Sequence, residues 1–324
     1  MKHVTFIGGA LTACAMTLAP LAALALDEVK VGYQKLPPLA ALVHGKEAGI
    51  FEANGIDIEI VVVNTGSDVI NGLAAGSMTI VGSPAAGGVQ ARSAGLPLTA
   101  IGTSAIESFG HTEFQIVANG DKGIASAKDL EGHVVGVLEK ASPAELHIRE
   151  HMIADGGDPD KVQFVALPFP QLPAALEVGN VDAIGIAPPF LGQILGSQKI
   201  TPVVVGEGMV ATLETGGPTA LGSWFAMQPW IEAGDNKDVA ARFLKSVQES
   251  NEALMADRSL VDAILVRDFG MPAEVASHIP MNLLTTSLTA YPENYFEVIE
   301  AYKRTGMAEP NFTAEEFVTT LEYE

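Results

Sequence analysis

The feature that most constrains this chain is a change of period along it. Up to about residue 205, short β-branched runs alternate with helix-like stretches; after SWFAMQPW the alternation gives way to consecutive helices. The runs VKVGYQ, IDIEIVVV (56–63), MTIVGS (78–83), LPLTAIGTS and FQIVAN form a first series. HVVGVL, KVQFVAL, VDAIGIA and ITPVVVG form a second. Helix starts fall after Pro37-Pro38, at Ser67-Asp68, and at Pro84, Pro143, Gln171 and Phe190. Strands alternating with helices predict parallel α/β sheets joined by right-handed crossovers. In the tail, Ala240, Leu244, Val247 and Leu254 have helical spacing, and further helices are predicted over 258–268, 272–279, 291–304 and 313–320. Two such series with a helical tail fit two adjoining domains, or one domain interrupted by another.

The first residues stand outside this pattern. Lys2 precedes an almost wholly apolar stretch over 4–24, and Ala23-Leu24-Ala25 has the A-x-A form of a signal-peptide cleavage site. Residues 1–25 are therefore read as a secretory signal peptide cleaved after Ala25. A lipoprotein box, LTAC ending at Cys14, is the competing reading, but the residues after Cys14 stay apolar up to Ala25. Cleavage leaves 299 residues, enough for roughly two domains, and removes the single cysteine. Disulfides, a cysteine nucleophile and thiolate metal sites are thereby excluded from the mature chain. Its 17 basic against 39 acidic residues argue against nucleic acid or an anionic membrane as partner.

Ligands of open α/β sheets sit at the carboxyl ends of strands, where helix N-termini offer free N–H groups and a positive dipole end. Four strand–helix junctions have this character: 35–39, 65–67, 83–86 and 140–142. Each serine there is equally a helix cap. At Ser83-Pro84-Ala85-Ala86-Gly87 no carboxylate occupies the first turn, and small residues permit close approach, which suits an anionic head group. At Ser142-Pro143-Ala144-Glu145, Glu145 completes a capping box and Glu139 adds a further negative charge. That end is poor for a bare anion and tolerant of an amine or a neutral polar group, so a zwitterion fits the pair. Lys35 stands where VKVGYQ hands over to a helix, with two readings open: a cleft-facing charge or a solvated lysine.

One motif points elsewhere. His147-Ile148-Arg149-Glu150-His151 matches the H-x-x-E-H pattern of inverted zinc peptidases, in which two histidines one turn apart hold zinc and the glutamate acts as base. No distal third ligand is identifiable, and a five-residue match is cheap in a charge-rich helix. Dinucleotide fingerprint, phosphate-binding loop and nucleophile elbow are all missing from the sequence.

The succession GYQK, KEAGIFEANGIDIEIV, INGLAAGSMTIVGSPAA, AKDLEGHVVGV, LEVGNVDAIGIAPPF and FGMPAEVASHI resembles the nitrate/sulfonate/taurine group of periplasmic binding proteins, with the strongest likeness to the aliphatic-sulfonate binders. The resemblance covers nearly the whole mature chain. It implies an α/β type II periplasmic binding protein, with two α/β lobes, a hinge and a ligand cleft, working with an ABC permease of the inner membrane. Transferred here, lobe I is 27–115 plus 220–324 and lobe II is 116–212, with hinge crossings near 112–118 and 206–224. The expected protein is a periplasmic monomer without cofactor or metal, which captures a sulfonate- or taurine-like solute and is not an enzyme. A sensor of the same fold, or a zinc-dependent hydrolase using His147, Glu150 and His151, is the alternative. Relatives that make a thiamine pyrimidine use a cysteine-rich site, which this mature chain lacks. The candidate ligand-binding residues are Gln34, Lys35, Leu36, Gly66, Ser67, Ser83, Pro84, Ala85, Ser104, Ser142, Pro189, Phe190 and Trp224. Ala187, where the resembling proteins often carry an aromatic or acidic residue, implies a roomier pocket. Trp224 has two readings, closing over a ligand or packing in the core.

Overall fold

The computed structural model describes residues 25–323 except 64, 108–113, 189, 209–217, 280, 282–283 and 285–287. The segment read as a signal peptide, with Cys14, therefore lies outside the described residues apart from Ala25. Two five-stranded sheets organise the chain. The first contains β1 (Asp27–Gln34), β2 (Ile56–Val63), β3 (Ile80–Pro84), β4 (Leu98–Glu107) and β10 (Thr219–Met227), in the order β2-β1-β3-β10-β4. The second contains β5 (Gln115–Asn119), β6 (Val134–Val137), β7 (Gln163–Ala166), β8 (Ala183–Ile186) and β9 (Pro202–Glu207), in the order β7-β6-β8-β5-β9.

The predicted alternation is present, but the sheets are mixed rather than parallel. β1 pairs parallel with β2 and β3, while β10 runs antiparallel between β3 and β4. β5 likewise runs antiparallel to β8 and β9. The reason is topological. The chain leaves the first sheet after β4 and returns as β10, so the two strands flanking each departure run opposite to their neighbours. The crossovers within each sheet keep the parallel order, because α1 (Leu39–Glu47) with the short α2 (Ile50–Ala53), α3 (Gly66–Ala74), α4 (Ala85–Ser93), α5 (Pro143–Ala154), α6 (Leu172–Glu177) and α7 (Leu191–Leu195) follow strands as expected.

Each sheet buries both faces, so its strands read as near-continuous apolar runs. One face of the first sheet packs on α1 and the long helix Asn236–Ala256, which buries Ala240, Leu244, Val247 and Leu254 as its spacing predicted. The other packs on α3, α4 and the helix Phe296–Thr305, with Tyr295, Tyr302 and Phe317 fully buried. The second sheet is covered by α5 on one face and by α6 and α7 on the other. Three predicted tail helices are shorter than the spacing implied, that over 272–279 being reduced to the single turn Ala273–Ala276. That over 313–320 stops at Phe317, because Val318 turns extended to bridge Ala100; that over 291–304 begins at Phe296 after a 3-10 turn. No helix among the described residues is long and apolar enough to cross a membrane.

The long helix approaches β4 closely at Gly102. A Cβ there would lie 2.6 Å from a Leu244 methyl and 3.0 Å from the Leu288 carbonyl oxygen. That carbonyl cannot retreat, since it accepts from the Thr103 N–H at 2.7 Å. Gly102→Val is therefore expected to destabilise the protein by about 1–3 kcal/mol through overpacking. Denaturant unfolding checks this, as a lower midpoint with an unchanged slope.

Candidate functional site

Parallel pairing brings the carboxyl ends of β1, β2 and β3 to one edge of the first sheet. The antiparallel register adds the start of β10 and the end of β4 to that edge: Ser223 faces Ser83, Gly222 faces Pro84, and Thr219 faces Glu107. Gln34, Ser83, Ser104, Glu107 and Thr219 thus share one edge, and all are buried. In the second sheet the corresponding edge carries the ends of β6, β7, β8 and β9 and the start of β5. Both connections between the sheets, 107 to 115 and 207 to 219, join these two edges. The edges also touch directly, for the Ser67 hydroxyl donates to the Glu139 carboxylate at 3.3 Å.

The helix N-termini of α3, α4 and α5 at this meeting differ electrostatically. At α3, Thr65 is the cap, its hydroxyl accepting from the Asp68 N–H at 3.1 Å, and Asp68 fills the first turn. Gly66 and Ser67 are thus the first helical residues, and the capping that Ser67 was expected to supply falls to Thr65. At α5, Ser142 accepts from the Glu145 N–H, and the Glu145 carboxylate accepts from the Ala141 N–H at 2.8 Å and from Arg149 at 2.9 Å. The expected box is present in a shifted form, gripping the residue before the cap. This bond also holds Ala141 at φ 56, a left-handed conformation that a non-glycine residue adopts at a cost of order 1 kcal/mol. At α4 the cap position is Pro84, which supplies no side-chain acceptor, and no acidic residue lies in the first turn. Ala85 and Ala86 are buried behind it. Of the α3, α4 and α5 dipole ends, α4 alone is left without a carboxylate, and α1, which follows β1 at the same edge, likewise has neither a side-chain cap nor an acid in its first turn.

The remaining candidates fall into place unevenly. Lys35 and Leu36 are exposed beyond the end of β1, and the Lys35 ammonium lies over the Phe269 ring, 5.9 Å from its centroid. Phe190 is half-buried and meets Phe169 edge-on at 5.5 Å between centroids, giving the second edge an aromatic wall that the sequence reading missed on the Phe169 side. Pro189 lies outside the described residues. Trp224 is corrected: its indole is buried in the core of the first sheet, 5.3 Å from Tyr33 and 5.0 Å from Phe243 between ring centroids. Strand alternation sends it to the face that packs on the long helix, whereas its neighbour Ser223 points oppositely and bonds the Tyr295 hydroxyl at 2.8 Å. The buried polar residues Thr103, Glu107 and Thr219 were not singled out from the sequence. They lie inside or beside apolar runs, where only the register shows that they share an edge with Ser83.

The H-x-x-E-H residues are each engaged separately. Glu150 accepts from Arg304 at 2.7 Å and 3.1 Å, the His151 Nε2–H donates to the Gly208 carbonyl at 2.8 Å, and His147 packs against Phe114 with ring centroids 5.4 Å apart. Among the described residues no three His, Cys, Asp or Glu side chains are arranged to hold a metal ion. The histidines instead bear on stability. Burial, with the neighbouring His151 charge, pushes the His147 pKa down to about 3; burial lowers His151 as well. The unfolded chain, with His near 6.5, therefore binds a proton that the native state refuses between those limits. Stability is full above pH 6.5 and falls as pH drops towards 3, by about 2 kcal/mol at pH 5 from His147. Urea titrations at pH 7 and pH 5 should show this loss, and His147→Gln should flatten it.

Solved structures with the same fold are known. The chain matches the periplasmic aliphatic sulphonate binding protein SsuA from Escherichia coli at a TM-score of 0.73 and 18% identity, over 93% of this chain and 94% of that one. It matches the alkanesulfonate-binding protein SsuA from Xanthomonas axonopodis pv. citri, bound to MOPS, at 0.72 and 18%, over 92% and 99%. The periplasmic nitrate-binding protein NrtA from Synechocystis PCC 6803 matches at 0.70 and 15%, over 90% and 84%. No curated protein sequence matches the chain. The likeness to sulfonate and nitrate binders read from the sequence is thus borne out, and the fold is that of the periplasmic binding proteins. The family model described as NMT1/THI5 like matches residues 37–258, more than half of the chain and parts of both sheets, and the chain accordingly belongs to the NMT1/THI5-like family.

Proposed function

We propose that this protein is the solute-binding component of an ABC importer, exported to the periplasm, where as a monomer it captures a small anionic or zwitterionic organic solute and delivers it to an inner-membrane permease. Lobe I is 27–115 plus 220–324, lobe II is 116–212, and the ligand binds between them. The observation that carries the reading is the asymmetry of the facing edges. The α4 N-terminus, bordered by Gln34, Ser83 and Ser104, is open to an anion, whereas the opposite edge carries Glu139, the Glu145-filled α5 cap and the Phe169–Phe190 pair. A sulfonate on the first edge and an amine or apolar portion on the second satisfies both. That the similar structures are sulfonate- and nitrate-binding proteins agrees with an anionic head group.

A thermal-shift screen of taurine, alkanesulfonates, nitrate, amino acids, pyrimidines and aromatic acids tests the class. A ligand in large excess over its Kd is expected to stabilise by roughly 3–4 kcal/mol, and small-angle scattering should show compaction with that ligand. No stabilisation by any sulfonate would remove the assignment. Lys35 supplies a second test. Its contact with Phe269 is worth about 0.5–1 kcal/mol at an exposed site, less than the roughly 1.5–3 kcal/mol of a charge-assisted hydrogen bond, so an anion can draw the ammonium away. Lys35→Met is expected to weaken the best sulfonate about tenfold by calorimetry while lowering the melting temperature of the free protein by no more than about 2–4 °C.

A further inference from the structure

We infer that Glu150 and Arg304 form a latch between the lobes, acting as positioning residues that set ligand affinity through the closure equilibrium; the inference rests on the two-lobe binding reading above. The H-x-x-E-H helix is buried on more than one side. Ile148 and Met152 belong to the core of the second sheet, as expected for a crossover helix. Leu146, four residues before Glu150, belongs instead to the apolar cluster of the first sheet, with Val298 and Tyr302 of the helix Phe296–Thr305. Glu150 extends this contact one turn further on. Its side chain is 2% exposed and its carboxylate meets the Arg304 guanidinium at 2.7 Å, while Arg304 is also held by Glu297 at 3.2 Å. The third pair, His147 and His151, faces the residues flanking the two connections, Phe114 and Gly208. One helix of the second lobe thus touches the first lobe and the residues beside both connections through which the lobes are joined.

The same arrangement holds Ser67 against Glu139, four residues before α5 begins. A rigid rotation that parts those edges also moves α5 relative to the helix Phe296–Thr305 and exposes Glu150 and Leu146. With Arg304 present the buried carboxylate is compensated. Without it, the carboxylate is charged and desolvated when the edges meet but hydrated when they part, so the balance swings to the open form. Apparent affinity falls in proportion to the closed fraction.

The pair is tested by a mutant cycle in a chain beginning at Leu26, which has no cysteine of its own. Ala75→Cys and Gln198→Cys, both exposed, take a donor–acceptor dye pair to report lobe separation. Arg304→Met is expected to lengthen the mean distance in the ligand-free protein and to weaken taurine or ethanesulfonate, whichever the wild type binds, about tenfold. Glu150→Gln in the same chain removes the stranded charge and should recover affinity to within about threefold of wild type. A purely structural role would lower the melting temperature of the free protein without moving either the distance or the Kd, and that outcome overturns the latch. Equal effects of Arg304→Met with and without Glu150→Gln also overturn it. If the wild type binds neither sulfonate, the binding reading fails, yet an unchanged dye distance in Arg304→Met still refutes the latch on its own.

Discussion

The rest of the structure depends on one ladder, the antiparallel insertion of β10 between β3 and β4. Without it the first sheet would be split, since among the described residues β4 has no other strand neighbour in the sheet and β3 would become an edge. The insertion ties residues more than a hundred positions apart in sequence and builds the first sheet from two separate stretches of chain. It also sets the register that places Ser223 beside Ser83 and Thr219 beside Glu107. The polar edge therefore exists only once the chain has made its excursion through the second sheet and come back.

Charge at the meeting edges follows from which helix ends are filled. α3 and α5 are capped by a hydroxyl and carry an acid in the first turn, so their dipoles are already answered. α4 begins with proline and alanines and is not. With an overall formal charge of −21, the protein places this unfilled dipole end inside an otherwise acidic molecule. The local field at such an edge is thus set by a few first-turn residues and not by the net charge, which bears on solubility and association instead.

Helix α5 shows how a sequence motif and a packing pattern can share residues. His147, Glu150 and His151 have the spacing of a zinc-binding helix, yet each side chain turns to a different neighbour. The spacing arises because residues four apart lie on one face, and α5 has buried faces towards the second sheet, towards Phe114 and Gly208 beside the two connections, and towards the helix Phe296–Thr305. A helix that must satisfy several partners uses polar residues where a single-faced helix would use leucine, and the resulting string resembles a catalytic motif.

The sequence by itself determined the elements and their kinds. β-branched runs, proline and serine at helix starts and the 3.6-residue spacing of Ala240, Leu244, Val247 and Leu254 are local signals, and the elements appear where those signals stand. It also determined the difference between the α4 and α5 N-termini, because capping is decided within four residues. The tertiary structure alone decided strand direction, since parallel and antiparallel neighbours have the same side-chain alternation and differ only in how the chain returns. It sent Trp224 to the core and Ser223 to the opposite face, because the phase of a two-residue alternation is fixed by what covers each face. It gave Glu150 its partner in Arg304, 154 positions away, a contact that no local pattern encodes because it forms only when a helix packed on the second sheet meets one packed on the first.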